Sequence, residues 1–285
     1  MILVIDIGNT NIKFTGLTGC SLSGETAPEQ AYFSVLFEDR MSTETGKDQQ
    51  KFLLDAEQLL GQHGISFSSG RAAEAVAISS VVPAAAPAAV CLAEKLCPLP
   101  PVVISCRSDS GLSFDRLPAP ERVGTDRIAD AAWAAARHPL PAMTVDLGTA
   151  TTINVIGPAE DGGDSAVFLG GMIGAGVSTS LHALRTGTAQ LPELAPRTVP
   201  AESLIGIDTD GCMLSSAIVG TAAMIEGLAA RVEEQLGRPV TLILTGGNAR
   251  FVTPWIRRSF ISEPCLAPRG AAVIALRELK KRSGS

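Results

Sequence analysis

An apolar run that ends on aspartate and breaks at once into a glycine turn occurs twice in the 285-residue chain. The copies are Ile2-Leu3-Val4-Ile5-Asp6-Ile7-Gly8-Asn9-Thr10 and Met143-Thr144-Val145-Asp146-Leu147-Gly148-Thr149-Ala150. A second strand-like run follows each, from Asn11 to Leu17 and from Thr151 to Ile156. A pattern that restarts after one domain length marks an internal duplication. The break is expected within His138–Ala142, where Pro139 and Pro141 interrupt the chain. This predicts an N-terminal half over 1–140 and a C-terminal half over 141–285, joined without a low-complexity linker and closely apposed about a cleft.

Within the first half, strand and helix signals alternate. Residues 18–50 are rich in Ser, Thr, Gly and acids around Tyr32-Phe33-Ser34-Val35-Leu36-Phe37, the composition of a hairpin with long solvent loops. Phe52, Leu53, Ala56, Leu59 and Leu60 carry helical spacing over 48–62, ending before Gly64. Ala75 to Ser80 reads as a buried strand. Pro83 opens an alanine-rich helix to about Leu96, and Val102-Val103-Ile104 returns as a strand. Such alternation predicts an α/β fold with a largely parallel central sheet.

Bulk composition narrows the function. Hydrophobic residues make up 46% of the chain and charged ones 18%, so a large core is expected and disorder is not. The net charge is −6, and the one basic block, Lys280-Lys281-Arg282, reads as a solvated helix end. Nucleic acid is therefore not an expected partner. The start of the chain lacks the features of a signal peptide, and no apolar run approaches the ~20 residues of a membrane span. Six cysteines without a Cys-x-x-Cys pair read as reduced, mostly buried thiols of a cytoplasmic protein.

The repeated loop has a specific chemistry open to it. Asp6-Ile7-Gly8-Asn9-Thr10-Asn11 sets a carboxylate at a strand end, beside a glycine that lets main-chain N–H groups approach an anion. Lys13 can add positive charge. An aspartate beside phosphates needs a divalent cation between them. One copy alone is equally a tight hairpin turn; two copies at domain spacing favour a pair of phosphate loops. In the second, Thr149, Thr151 and Thr152 offer hydroxyls. Thr245-Gly246-Gly247-Asn248 is either a surface for a flat nucleobase or an ordinary strand-to-helix turn. Gly170-Gly171-Met172-Ile173-Gly174-Ala175-Gly176 either borders a cleft before another helix or serves close helix packing. Asp126-Arg127 reads on its own as a helix N-terminus with a surface charge pair. His63, His138 and His182 enter no catalytic arrangement, and no P-loop, dinucleotide fingerprint or Gly-x-Ser-x-Gly elbow is present.

These segments, with Ser79-Ser80-Val81-Val82-Pro83, Gly124-Thr125-Asp126-Arg127 and Ile205-Gly206-Ile207-Asp208-Thr209, stand in the order found in type III pantothenate kinases. The chain resembles that family from residue 2 to about 275. Pro120-x3-Gly124-x-Asp126-Arg127 is the most specific element. The resemblance implies a duplicated ribonuclease H-like fold of the actin-like ATPase superfamily, with an interdomain cleft. It also implies a homodimer and ATP-dependent phosphorylation of pantothenate to 4′-phosphopantothenate, the first step of coenzyme A synthesis. Mg²⁺ and a monovalent cation, K⁺ or NH4⁺, are implied as cofactors. By the same resemblance Asp126 is the general base, and Gly124, Thr125, Asp126, Arg127 and Thr209 contact the substrate. Asp6, Ile7, Gly8, Asn9, Thr10, Asn11, Ile12, Lys13 and Thr149 form the ATP site. Asp6 serves Mg²⁺, directly or through water, and Asp146 holds the monovalent cation.

The chain departs from the family pattern in three places. Leu117 stands where a substrate-contacting tyrosine is usual, Asn154 where an aspartate is usual, and Ala175 where a proline is common. Two other readings follow from the fold alone: a kinase of another small alcohol or acid, and a non-catalytic regulatory protein.

Overall fold

The computed structural model describes residues 1–18, 32–67, 72–159, 165–200 and 204–283. Its elements are β1 (Ile2–Ile7), β2 (Asn11–Thr18), β3 (Ser34–Ser42), α1 (Gln49–Gly61), β4 (Ala75–Ser80), α2 (Ala86–Leu96), β5 (Val102–Val103), β6 (Leu112–Ser113) and α3 (Thr125–Arg137). There follow β7 (Ala142–Leu147), β8 (Ala150–Gly157), β9 (Ala166–Ala175), α4 (Val177–Gly187), α5 (Thr209–Leu236), β10 (Thr241–Thr245), α6 (Ala249–Val252), β11 (Ile261–Ser262) and α7 (Leu266–Ser283). Two compact units result. One holds Met1–Arg137, Gly163–Ser165 and Leu266–Ser285; the other holds His138–Gly162 and Ala166–Cys265.

The first unit's sheet has the order β3-β2-β1-β4-β5. β1 runs antiparallel to β2 and parallel to β4, which is parallel to β5. Strands of the second unit repeat this arrangement as β9-β8-β7-β10-β11, with β7 antiparallel to β8 and parallel to β10. Each unit therefore has the strand order of a ribonuclease H-like sheet, as the repeated motif predicts. Central β1 and β7 are apolar and buried along nearly their whole length, as expected of strands covered on both faces. β3, at one edge, instead exposes most of its length and carries Glu38, Asp39 and Arg40, a composition that discourages further strand pairing.

α1 and α5 each bury one face, whereas α3 and α7 are buried on all sides over Ile128–Ala134 and Gly270–Leu276. Asp48 caps α1 by accepting from the N–H groups of Gln50 and Lys51. Phe52, Ala56 and Leu60 then recur on one face and bury against the sheet, Phe52 beside Phe14 with ring centroids 6.2 Å apart. Asp208 caps α5, and Gly237 closes it in the left-handed conformation. α5 is long and apolar enough by length and composition to cross a membrane, contrary to the expectation of no such run. Its Met213, Leu214, Ala217, Ile218, Ala222 and Ile225 pack in the second unit's core, the pattern of a core helix.

Four boundaries differ from expectation. β3 begins at Ser34 and runs on to Ser42; the remainder of the expected hairpin falls at 19–31, outside the described residues. α2 starts at Ala86 rather than Pro83, because Val82–Ala85 first closes a turn in which the Ala85 N–H donates to the Val82 carbonyl. The glycine-rich 170–176 segment, expected to lead into a helix, is mostly strand before it does so: 170–175 end β9 and Gly176 caps α4, with Gly170 at φ +120° where the β8–β9 register shifts. The final helix also departs from the simple 141–285 half: α7 packs on α3, β4 and β1 of the first unit.

A small-residue seam explains that last packing. Gly270 lies against the backbone of Ala129 on α3, and a Cβ there would come within 1.8 Å of the Ala129 carbonyl oxygen. Nearby, Trp133 lies between the guanidiniums of Arg137 and Arg269, 5.6 and 5.7 Å from its ring. Gly270→Ala should therefore destabilise the protein by about 1–3 kcal/mol, the usual cost of overpacking a core. Thermal unfolding measures this, and an unchanged midpoint would contradict the close α3–α7 packing.

Candidate active site

Asp6 sits at the end of β1, where pairing sets it opposite Lys13 on β2 and Ser79 on β4. The loop between β1 and β2 closes on itself, the Gly8 N–H donating to the Asn11 carbonyl at 3.0 Å. Thr43, which sequence reasoning missed, braces it from the turn after β3. Its hydroxyl donates to the Gly8 carbonyl at 2.7 Å and its N–H to the Thr10 carbonyl at 3.1 Å. Asn9 and Thr10 are left exposed at the tip, while Ile7 and Ile12 are wholly buried. Only the main chain of those two isoleucines can meet a ligand.

The Asp6 carboxyl is pushed above its ordinary value, first by desolvation. Lys13 and a hydrogen bond from Ser79 pull it down, while the charges of Asp126 and Glu38 push it up. Asp126 thus lies close enough to Asp6 to be felt electrostatically. It enters from the first turn of α3, a position where the helix dipole favours a carboxylate. Its Oδ1 accepts from the Arg127 N–H at 2.8 Å and occupies room that a Cβ at Gly124 would take, 2.4 Å away. The Thr125 and Ser79 hydroxyls pair at 3.0 Å, tying α3 to the end of β4. Burial pushes the Arg127 guanidinium down from its usual value, against the opposing effect of Asp126 and then Asp130.

Ahead of α3, residues 106–121 line a cavity of about 690 Å³, within the range of small-molecule sites. Leu112, Phe114 and Leu117 supply apolar wall, and Arg107, Asp115 and Glu121 supply charge. Leu117, in the position of the family's tyrosine, faces this space.

In the second unit the Asp146 loop is held by its carbonyls. Asn248 donates its N–H to Leu147 at 2.9 Å and its side-chain amide to Gly148 at 3.1 Å. The Thr149 carbonyl accepts from Gly176 N–H at 3.1 Å and from the Thr179 hydroxyl at 2.6 Å. Gly246 (φ +96°) is packed so closely that a Cβ would fall 2.3 Å from Asp146 Oδ1, and one at Gly176 would fall 2.3 Å from the Gly148 carbonyl oxygen. Both glycine segments therefore brace the loop. Asp146 is half-buried and Thr149 exposed, and Thr209 begins α5 elsewhere in that unit. Asn154 is buried, donating to the Thr144 hydroxyl across β7–β8 at 3.0 Å.

The remaining expectations are met unevenly. All three histidines lie beside carboxylates: His63 by Asp39, His138 by Glu263 and His182 by Glu193. Of the five described cysteines, all free thiols, Cys97 alone is buried, Cys212 on α5 is exposed, and Cys91, Cys106 and Cys265 are half-buried. Among the described residues no group of three or more His, Cys, Asp or Glu could hold a metal. Mg²⁺ keeps its waters and takes one or two carboxylates with the phosphates of its nucleotide. Asp6 fits such a role, as a desolvated carboxyl beside a second one at Asp126.

The duplicated sheet order and paired Asp-x-Gly turns define an actin-like ATPase fold. Among solved structures, one described as a Baf family transcriptional activator from Campylobacter jejuni matches at TM-score 0.51 and 16% identity, over 99% of this chain and 100% of that one. Component A of (R)-2-hydroxyglutaryl-CoA dehydratase from Acidaminococcus fermentans matches at 0.51 and 13% identity, over 99% and 98%. The sequence comparisons go further: the type III pantothenate kinase family model matches residues 2–231. Type III pantothenate kinases of Caulobacter vibrioides (34% identity, 87% of each chain) and Rhizorhabdus wittichii (32%, covering 96% of this chain and 97% of the relative) are similar. The chain belongs to the type III pantothenate kinase family.

The raised Asp6 carboxyl has a consequence for stability. A carboxyl whose value is higher folded than unfolded takes up a proton on folding, so stability falls as pH rises from the unfolded value through the raised one. Asp6→Asn removes that cost. The ligand-free variant should unfold at a higher temperature than wild type at neutral pH, with the gap closing below about pH 4. A variant no more stable at neutral pH would contradict the assignment of strain to Asp6.

Proposed function

We propose that the protein transfers the γ-phosphoryl group of ATP to the primary hydroxyl of pantothenate, giving 4′-phosphopantothenate and ADP in the first step of coenzyme A biosynthesis. The observation that carries this reading is the meeting of Asp6, Lys13, Ser79 and the Gly124–Arg127 turn in one unit, in a chain of this family.

In this reading the main-chain N–H groups of 7–13, the Asn9 and Thr10 side chains, Lys13 and Thr149 hold the phosphates. Asp6 would hold Mg²⁺, directly or through water, and the ion would supply neutralising charge at the phosphate oxygens. Gly124, Thr125, Arg127 and Thr209 seat pantothenate so that its hydroxyl faces Asp126. The hydroxyl oxygen bonds to the γ-phosphorus, the bond to the ADP oxygen breaks, and the hydroxyl proton passes to Asp126. A carboxylate is far too weak a base to ionise an alcohol beforehand. It accepts the proton late in a loose transition state, where alignment dominates. Asp146 holds K⁺ or NH4⁺. The enzyme works in the cytoplasm as a homodimer, and the almost fully exposed Ile205 and Ile207 (82% and 98%) support an interface between copies next to Thr209.

Coupled measurement of ADP release tests the reading. Release should require both pantothenate and Mg²⁺, and should rise when K⁺ replaces Na⁺ at constant ionic strength. Equal ATP hydrolysis with and without pantothenate would overturn the kinase assignment, and equal rates in the two salts would overturn the cation role.

A further inference from the structure

The loop that lines the cavity before α3 is anchored at its midpoint to the C-terminal helix. Asp109 Oδ1 accepts from Arg277 Nε at 2.8 Å, and the Asp109 N–H donates to Glu278 Oε1 at 2.6 Å. Gly111, at φ +71°, lies directly under the same guanidinium, its Cβ position 3.5 Å from Arg277 Cζ. Between these contacts Ser110 is 3% exposed. Residues 109–111 are thus held by α7 through a charged pair and a charge-assisted hydrogen bond, with no room to spare beneath the guanidinium for a larger residue at 111.

The cavity walls leave this anchor in both directions. Cys106 and Arg107 precede it; Leu112, Phe114 and Leu117 follow it. Local bonds shape each arm, Ser105 with Ser108 on one side and Ser113 with Asp115 on the other. None of those bonds fixes one arm relative to the other. Leu112–Ser113 of the second arm also pair within a sheet, and α7 grips the point where the two arms meet; the position of α7 is set by the buried Gly270 seam against α3, the helix whose first turn carries Asp126.

We propose that Arg277, Glu278 and Asp109 are positioning residues for the acid substrate: the α7 clamp holds the two arms of the 106–117 loop at the separation that admits pantothenate. The inference rests on the kinase reading. With Leu117 in place of a tyrosine, the cavity depends more on loop placement than on one large side chain reaching the ligand. The clamp touches no nucleotide-site residue, so its loss falls on pantothenate binding.

Steady-state kinetics on Arg277→Gln, Asp109→Asn, Arg277→Lys and the Asp109→Asn/Arg277→Gln double variant tests this. Either neutral single variant should raise KM for pantothenate about tenfold, the scale of one charge-assisted contact. Both should keep kcat within about twofold and KM for ATP unchanged. Arg277→Lys should recover most of the loss, and the double variant should be no worse than either single one. An unchanged pantothenate KM in both single variants overturns the clamp. So does a parallel fall in kcat and in affinity for both substrates, which would mark a general structural role. Absence of pantothenate-dependent turnover in the wild type would instead remove the kinase reading, and the clamp with it.

Discussion

The carboxylate at the end of β1 imposes the main constraint on the first unit. Asp6 is desolvated, flanked by Lys13 and Ser79, and faces the charge of Asp126. This pair opposes folding, because burial and the second negative charge both disfavour the charged form of Asp6. A surface chosen for stability alone would not keep them. Their arrangement makes sense when a cation and a phosphorylated ligand complete it, and the pieces around them serve that end. Thr43 holds the loop open at its tip, Ser79 ties Asp6 to α3 through Thr125, and Gly124 leaves space for the Asp126 carboxylate.

The second copy of the motif has been specialised differently. Its turn carbonyls are taken up by Asn248, Gly176 and Thr179, so its shape is fixed by contacts from the starts of two later helices, α4 and α6. Gly246 and Gly176 are required there because a Cβ at either would overlap the loop. Duplication thus preserved the strand order and the aspartate while the two loops acquired separate supports, one from a neighbouring turn and one from helix starts.

Much of this was legible in the residues. The repeat of apolar strand, aspartate and glycine turn foretold two sheets of the same order, since a strand buried on both faces must read as a continuous apolar run. Gly124-x-Asp126-Arg127 pointed to the turn proposed to carry the base only through its resemblance to a family; by itself it was an ordinary helix start. Thr43, Ser79, Thr179 and Asn248 carried no sequence signal as braces, because their partners are carbonyls and hydroxyls brought near by topology. The fate of the C-terminal helix was likewise hidden. Nothing local says that Gly270 will meet Ala129, and the division at residue 141 therefore missed the return of α7 to the first unit. The glycines of 170–176 read as a cleft border or as close helix packing, yet most of them pair with β8, where Gly170 absorbs a register shift.

Asp6 and Asp126 are assigned different tasks, one toward metal and phosphate and the other toward the proton. Comparing Asp126→Asn with Asp6→Asn in single-turnover phosphoryl transfer, alongside calorimetric binding of Mg²⁺–ATP, separates them most directly. Asp126→Asn should lose about 10²–10⁴-fold in rate, the usual share of a general base, with Mg²⁺–ATP affinity preserved. Asp6→Asn should lose both rate and affinity. A folded Asp126→Asn enzyme that transfers phosphate at the wild-type rate, or two variants with the same pattern of loss, would contradict that division.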